Sequence, residues 1–379
     1  MGKESRLELP LDMHFGPLLD EEEVQMVTQV IRSGRLTQFS SELVKEFEKA
    51  FADYVGAPAA IAVNSGTASL HTVLTAAGIG PGDEVIVPAF TFIGTVGPIL
   101  QQRAVPVFAD IDPESFCLAV DDAARKITPR TKAIMPVDVF GHPADLEPLR
   151  ELAAQHDLLF VEDACQAHGA KYKGVPVGNL ADATCYSFYE SKNMTTGEGG
   201  MVTTSNPQLA DTCRMVRHQG EENWGVIQRL GYNYRMTALQ AAIGLVQLRK
   251  LDSFNEMRRQ RAAVYTEALS HLDLQLPGEK PDVWSVFHVY SFLLPQRLAS
   301  QRDEIVQQLK ARRVPAGVVY PKPLYASPVF AQLKGPFHCP VTEDVCSRVI
   351  TLPTLQSIPL DIVEKIGAIT CEVLEEYLY

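Results

Sequence analysis

Between residues 59 and 205, apolar runs alternate with helical patterns. The runs IAV, EVIVPA, VPVFADI, KAIMPVDVF, LLFVEDA, TCYSFY and GGMVTTS read as strands, and helical periodicity stands between most of them. Apolar strands interleaved with helices predict an α/β fold, a mostly parallel sheet covered on both faces. Ligands of such sheets sit beyond the carboxyl ends of the strands. Ahead of this region, residues 1–20 show little periodicity and read as an arm. Residues 20–23, DEEE, open a helix with acids at the positive end of its dipole, and Gly34 stops it. Residues 41–54 predict a second amphipathic helix, since Leu43, Phe47, Phe51 and Tyr54 recur at roughly helical spacing.

Residues 238–272 predict a long helix or a helix pair. Its apolar start, AAIGLVQL, gives way to Arg258, Arg259 and Arg261, a basic cluster expected on a solvated face. A domain limit is placed there, near residue 255. It separates an N-terminal arm and large domain (1–255) from a smaller C-terminal α+β domain (256–379). In the latter, HVYSFLLP and AGVVY read as strands, 302–313 as a helix, and 360–379 as an amphipathic helix that closes the domain.

Composition narrows the class. The chain has 379 residues, 46% of them hydrophobic, enough for a sizeable core. A formal net charge of −12 argues against a nucleic-acid surface. No apolar run approaches the ~20 residues of a membrane span, and MGKESRLELP lacks the apolar segment of a signal peptide. The expected location is the cytoplasm. Seven cysteines, an odd number without C-x-x-C spacing, form neither a disulfide framework nor a zinc site, and no metal is expected. Cys165 and Cys185 read as buried small apolar residues.

Three stretches carry chemistry. In 184–200, TCYSFYESKNMTTGEGG, a buried strand delivers Ser187 and Lys192 into a turn rich in Thr and Gly. A desolvated lysine there loses its charge readily and becomes an amine able to form a Schiff base. Taken alone it also reads as a solvated surface group, the commoner case. The strand LLFVED ends at Asp163, placed to hold a proton on a cofactor's ring nitrogen, or simply to cap a helix. In IAVNSGTASL a strand meets a helix at Gly66, Thr67 and Ala68, where backbone N–H groups can converge on an anion. An ordinary capped helix explains the same pattern. His168 reads as a satisfied structural histidine rather than a catalytic one.

Together, residues 64–68, 162–170 and 187–200 resemble the DegT/DnrJ/EryC1/StrS aminotransferases, the sugar aminotransferases of PLP fold type I. The resemblance runs from about Phe15 to the last helix. The pattern SF-x-x-x-K-x-x-x-x-GEGG is highly specific, the GTA turn much less so. The resemblance implies an aspartate aminotransferase-like large domain and pyridoxal 5'-phosphate carried by Lys192, with pyridoxamine 5'-phosphate as intermediate. Gly66, Thr67, Ala68, Phe92, Asp163, Gln166, Ser187 and Asn233 are then cofactor contacts. Phe92 would stack on the ring, and Gln166 would bond the phenolic oxygen or orient the ring. Asn233 would reach the neighbouring subunit's cofactor phosphate, so each site needs two chains of a homodimer.

His218, Arg235 and Tyr320 are the substrate candidates. Arg235 reads as a clamp on the amino donor's carboxylate or as the partner of a surface acid. Some relatives replace the lysine by histidine and act as dehydratases, whereas this chain keeps Lys192. The implied reaction moves an amino group from glutamate or glutamine to a keto-sugar linked to dTDP, UDP or GDP. Tyr325 stands where histidine is common in the family, and Leu352–Leu355 also lacks a frequent histidine. These departures keep open a keto-cyclitol or an aminohydroxybenzoate-synthase-like substrate, and behind those a non-catalytic regulatory role.

Overall fold

The computed structural model describes residues 6–7, 16–333 and 337–379. Most of the arm expected over residues 1–20, and the start of the resemblance at Phe15, lie outside them. Helices α1 (Glu21–Ser33) and α2 (Leu43–Val55) come first. Asp20 and Glu23 cap α1 reciprocally, and Gly34 ends it in the left-handed conformation. Then β1 (Ala59–Val63), α3 (Gly66–Ala76), β2 (Glu84–Pro88), α4 (Ile93–Gln101), β3 (Val105–Ala109), α5 (Val120–Arg125), β4 (Thr131–Ile134), α6 (Leu146–Gln155) and β5 (Leu159–Asp163) alternate. Two short strands, β6 (Lys171–Tyr172) and β7 (Val175–Pro176), precede β8 (Ala183–Ser187), β9 (Gly200–Thr204) and α7 (Pro207–Arg217).

Seven strands make one sheet in the order β1-β9-β8-β5-β4-β2-β3. The strands β8, β5, β4, β2 and β3 run parallel, and β9 is antiparallel to both β1 and β8. All seven runs read as strands enter this sheet, so the expected mostly parallel α/β architecture holds. Successive side chains point to opposite faces. Val85, Val87 and Val161 join a core with Val73 of α3 and Leu209 of α7, while Ile86 and Phe160 join one with Phe51 of α2 and Leu149 of α6. Helices on both faces explain why these strands are apolar throughout. The carboxyl ends of β1, β2, β5 and β8 open on the same edge.

Beyond α7, a hairpin of β10 (Glu221–Asn223) and β11 (Val226–Ile227) leads into α8 (Ala238–Leu269), one unbroken helix of 32 residues capped by Thr237 and Gln240. Residue 255 falls inside it. Next come β12 (Val283–Trp284), β13 (Tyr290–Leu293), α9 (Arg302–Ala311), α10 (Pro340–Arg348), β14 (Val349–Leu352) and α11 (Leu360–Leu378). The end of α8 (Tyr265, Leu269), β13 (Phe292), α9 (Ile305), β14 (Ile350) and α11 (Ile366) share a second core, the expected smaller α+β region. Among the described residues no helix is long and apolar enough to cross a membrane.

Three expectations need correction. AGVVY is not a strand. It meets β14 only through the bridge Gly317–Thr351, and Tyr320 sits at φ +60°, outside the strand region. The partner of β13 is instead β14, a strand that the sequence reading did not include. The basic cluster is not solvated either, because Arg258 and Arg261 are buried. Their side of α8 packs against the 191–192 turn and the 354–358 segment, and their N–H groups go to backbone carbonyls there. Only Arg259 keeps surface partners, Glu279 and the ring of Trp284.

Candidate active site

A cavity of about 620 Å³ opens at the carboxyl edge of the sheet. The turn from β1 into α3 forms one wall. Ser65 caps the helix by accepting the Ala68 N–H at 3.1 Å. The N–H groups of Gly66 and Thr67 occupy the first two positions of the helix, where no intrahelical acceptor exists. Gly66, Thr67 and Ser187 all line the cavity, so these N–H groups and the hydroxyls of Thr67 and Ser187 can serve as an anion cradle. Ala68 does not join them, because its N–H is taken up by the cap and its side chain is buried.

Gly66 is dictated by space: a Cβ there would lie 2.6 Å from Ser187 Cβ and 2.9 Å from Cys165 Sγ. The substitution Gly66→Ala therefore pushes β8 away from the turn. We expect a loss of about 1–3 kcal/mol of stability and weaker anion binding, read as a lower melting temperature and a smaller rise on adding phosphate.

Lys192 and Asp163 both line the cavity. Lys192 follows β8 in a turn held by its own N–H to Tyr189 O at 3.0 Å and by Thr196 N–H to Phe188 O at 3.0 Å. Burial pulls its amine below the ordinary lysine range, and the Arg258 guanidinium acts in the same direction, against Cys165 and Asp163. Asp163 ends β5 and is almost fully buried. Thr95 Oγ1 donates to it at 2.7 Å and Cys165 N–H at 3.1 Å, and Thr91 Oγ1 lies 2.8 Å from Thr95 Oγ1. This hydroxyl chain was not foreseen, since threonines at a helix start carry no signal of their own. The Cys165 thiol is pushed well up by burial, which keeps it unreactive.

Behind Asp163 lie two more carboxyls, Asp138 and Glu162, with no exposure at all. One oxygen of each is bonded, Asp138 Oδ1 by Ala144 N–H at 2.8 Å and Glu162 Oε2 by Thr184 Oγ1 at 2.7 Å. The other two oxygens find no further protein donor. A proton on Asp138, given to Glu162, satisfies both. Burial first, and Glu162 next, raises Asp138 well above the carboxyl range, and burial raises Glu162 to about 7.

Both folded values lie above the unfolded ones, so the folded protein keeps protons that the unfolded chain releases. The stability that this pair contributes is then fully present below the unfolded carboxyl range and is lost as pH rises from about 4 through about 7. In Asp138→Asn the amide stands in for the protonated carboxyl. We expect that variant to show a flatter profile of melting temperature against pH than the unsubstituted protein.

Gln166 and Tyr320 meet at the cavity. Gln166 Nε2 donates to the Tyr320 hydroxyl at 3.0 Å, and Gln166 Oε1 accepts Phe140 N–H at 2.8 Å. Phe92 stands at the rim, 60% exposed. His288 also lines the cavity and was missed. It lies in an irregular stretch with no motif around it, and burial, then Lys192 and Arg258, keeps its ring uncharged. His168 is buried; among the described residues neither ring nitrogen makes a close hydrogen bond, though the Ser187 backbone acts on it against burial. Its surroundings are the rings of Tyr186 and Phe188, and burial lowers it to about 3.

Asn233, Arg235 and His218 do not line this cavity. The side chain of Asn233 is exposed. Arg235 Nη1 lies 3.0 Å from His218 Nδ1 and over the Phe39 ring, and His218 Nε2 lies 2.7 Å from Glu221. Among the described residues Arg235 has no acid partner, so the reading as the partner of a surface acid is not met within one chain. Tyr325 also lies outside the cavity and donates to Glu343 at 2.6 Å.

Comparison with known proteins agrees with this geometry. The sequence model of the DegT/DnrJ/EryC1/StrS aminotransferase family matches residues 17–370. The chain is 40% identical over 367 residues to the GDP-perosamine synthase of Caulobacter vibrioides, covering 90% of this chain and 97% of that protein. It superimposes on 3-amino-5-hydroxybenzoic acid synthase with a TM-score of 0.90 at 28% identity, over 96% of this chain and 99% of that one. The PLP form of a putative sugar aminotransferase from Streptococcus pneumoniae gives a TM-score of 0.87 at 29% identity, over 94% and 98%.

Proposed function

The chain belongs to the DegT/DnrJ/EryC1/StrS aminotransferase family, and from that premise we propose that it uses pyridoxal 5'-phosphate to move an amino group from glutamate or glutamine to a nucleotide-linked keto-sugar. One observation carries this reading: an amine driven towards its uncharged form and a buried carboxylate face the same cavity, beside two free backbone N–H groups. The residues fit the group. Gly66, Thr67 and Ser187 would hold its phosphate, Asp163 its ring nitrogen, and Lys192 its carbonyl carbon, with Phe92 at the ring face. When bound, that group supplies an electron sink that acidifies the C–H next to the amino nitrogen.

The chain's own residues do the rest. The amine of Lys192, on the wall of the same cavity, would accept and hand on that proton. Asp163, fixed by Thr95 and the Cys165 N–H, would offer its carboxylate to the ring nitrogen. The Gln166–Tyr320 pair holds one side of the cavity in place.

A homodimer with shared sites is part of the proposal. Phe39, against Arg235, exposes apolar surface, as do Trp224, Ile227 and Leu230 in the segment leading to Asn233, and exposed apolar residues of this kind suit a partner surface. A second copy covering it would bring those polar residues to a neighbouring cavity. The GDP-perosamine synthase relative puts a GDP-linked substrate first. A second reading, an aminohydroxybenzoate or cyclitol precursor, is favoured by Tyr325 standing outside the cavity and by the fit to 3-amino-5-hydroxybenzoic acid synthase.

The test is direct. Purified protein is reconstituted with pyridoxal 5'-phosphate, its visible absorbance recorded, and a panel of keto-sugar nucleotides, cyclitols and aromatic precursors offered with glutamate or glutamine. Mass spectrometry should find an aminated sugar nucleotide. Failure to take up the cofactor would refute the reading, and turnover of cyclitols alone would replace the substrate.

A further inference from the structure

Helix α8 carries a guanidinium that the reaction above does not use. Arg258 has no solvent exposure. Its Nε donates to Gln356 Oε1 at 3.0 Å, and Nη1 to His288 O at 2.7 Å and Thr354 Oγ1 at 3.2 Å. Nη2 reaches Ser191 O at 3.4 Å and Lys192 O at 3.5 Å. Every acceptor is uncharged, and among the described residues no carboxylate pairs with it. A buried cation without a counter-charge is a heavy burden on folding. Gln356 sharpens the point. It offers an amide where a glutamate would match the charge, and its Nε2 is left buried without a partner.

The charges that face Lys192 can be named. Asp163 and the Cys165 thiol face it from the end of β5, Arg258 from α8, and the imidazoles of His168 and His288 lie close by. Burial keeps the thiol protonated and both imidazoles uncharged. One carboxylate and one guanidinium remain. On the reading above, the carboxylate is matched by a protonated ring nitrogen, whereas nothing matches Arg258. A second cation beside a desolvated lysine favours the free amine.

We propose that Arg258 is a positioning residue for Lys192: held only by uncharged acceptors, it fixes the backbone that carries the lysine and sets a positive charge against Asp163 beside the amine. The choice of Gln at 356 belongs to the same device. This rests on Lys192 being the amine that carries the cofactor.

The experiment follows the acetylation of Lys192 by acetic anhydride against pH in cofactor-free protein, read by mass spectrometry of its peptide, with melting temperature measured alongside. Gln356→Glu keeps size and the bond to Nε but supplies the missing negative charge. Arg258→Gln removes the cation. Both should move the Lys192 midpoint upward, making the lysine about ten-fold less reactive at a fixed pH below it. Arg258→Lys keeps the charge and should keep the midpoint. A folded Gln356→Glu protein with an unmoved midpoint overturns the proposal, as does an unsubstituted Lys192 that titrates with the exposed lysines. Cofactor uptake is measured separately, so its failure and a failure here are distinguishable.

Discussion

Lys192→Ala lowers amino transfer by roughly four orders of magnitude, because two functions share one amine. On the proposed reading the side chain would attach the cofactor and relay the proton, and a positioned acid–base group alone contributes about 10²–10⁴-fold. Folding should not suffer. Among the described residues no hydrogen bond holds Lys192 Nζ, and its amine is desolvated, so its loss removes an unfavourable burial rather than a support. The variant should therefore melt no lower than the unsubstituted protein, yet show no visible band typical of a lysine-bound cofactor. Single-turnover measurement with an amino donor checks the rate, and added methylamine should restore part of it. Undiminished turnover in the variant would remove Lys192 from the reaction.

Asp163→Asn has the second largest effect. The amide can still accept the Cys165 N–H and meet the Thr95 hydroxyl, so the turn keeps its shape while the charge is lost. Breaking a buried charge pair costs about 3–5 kcal/mol, which corresponds to roughly two to four orders of magnitude in rate. The loss should appear in kcat rather than in the affinity for phosphate, because Gly66, Thr67 and Ser187 are untouched. A variant that loses only phosphate affinity would assign Asp163 to anchoring instead.

Most of the sheet and much of the cavity wall could be read from the chain, and the misreadings share a cause. Strands buried on both faces announce themselves as apolar runs, so all seven were found. Gly66, Asp163, Ser187 and Lys192 stand at strand ends, where the α/β architecture alone directs attention. Arg258 was misplaced because periodicity reports charge, not what packs over it. Its neighbours, Ser191 and Thr354, lie 67 and 96 residues away in sequence. His288 was missed for a similar reason, since its place at the cavity depends on the return of the C-terminal half. Ala68 follows the motif in sequence, but the capping bond from Ser65 takes up its N–H. Tyr320 was named as a site residue within a segment taken for a strand, and its positive φ shows that the backbone bends there to present the ring.

The unbroken course of α8 has a consequence for anyone wishing to divide this molecule. A polypeptide stopped at residue 255 would retain the entire seven-stranded scaffold and every contributor to the phosphate cradle. It would nonetheless end midway along a helix and forfeit Arg258, His288 and Tyr320. Such a fragment would possess the lysine without the surroundings that make it an amine.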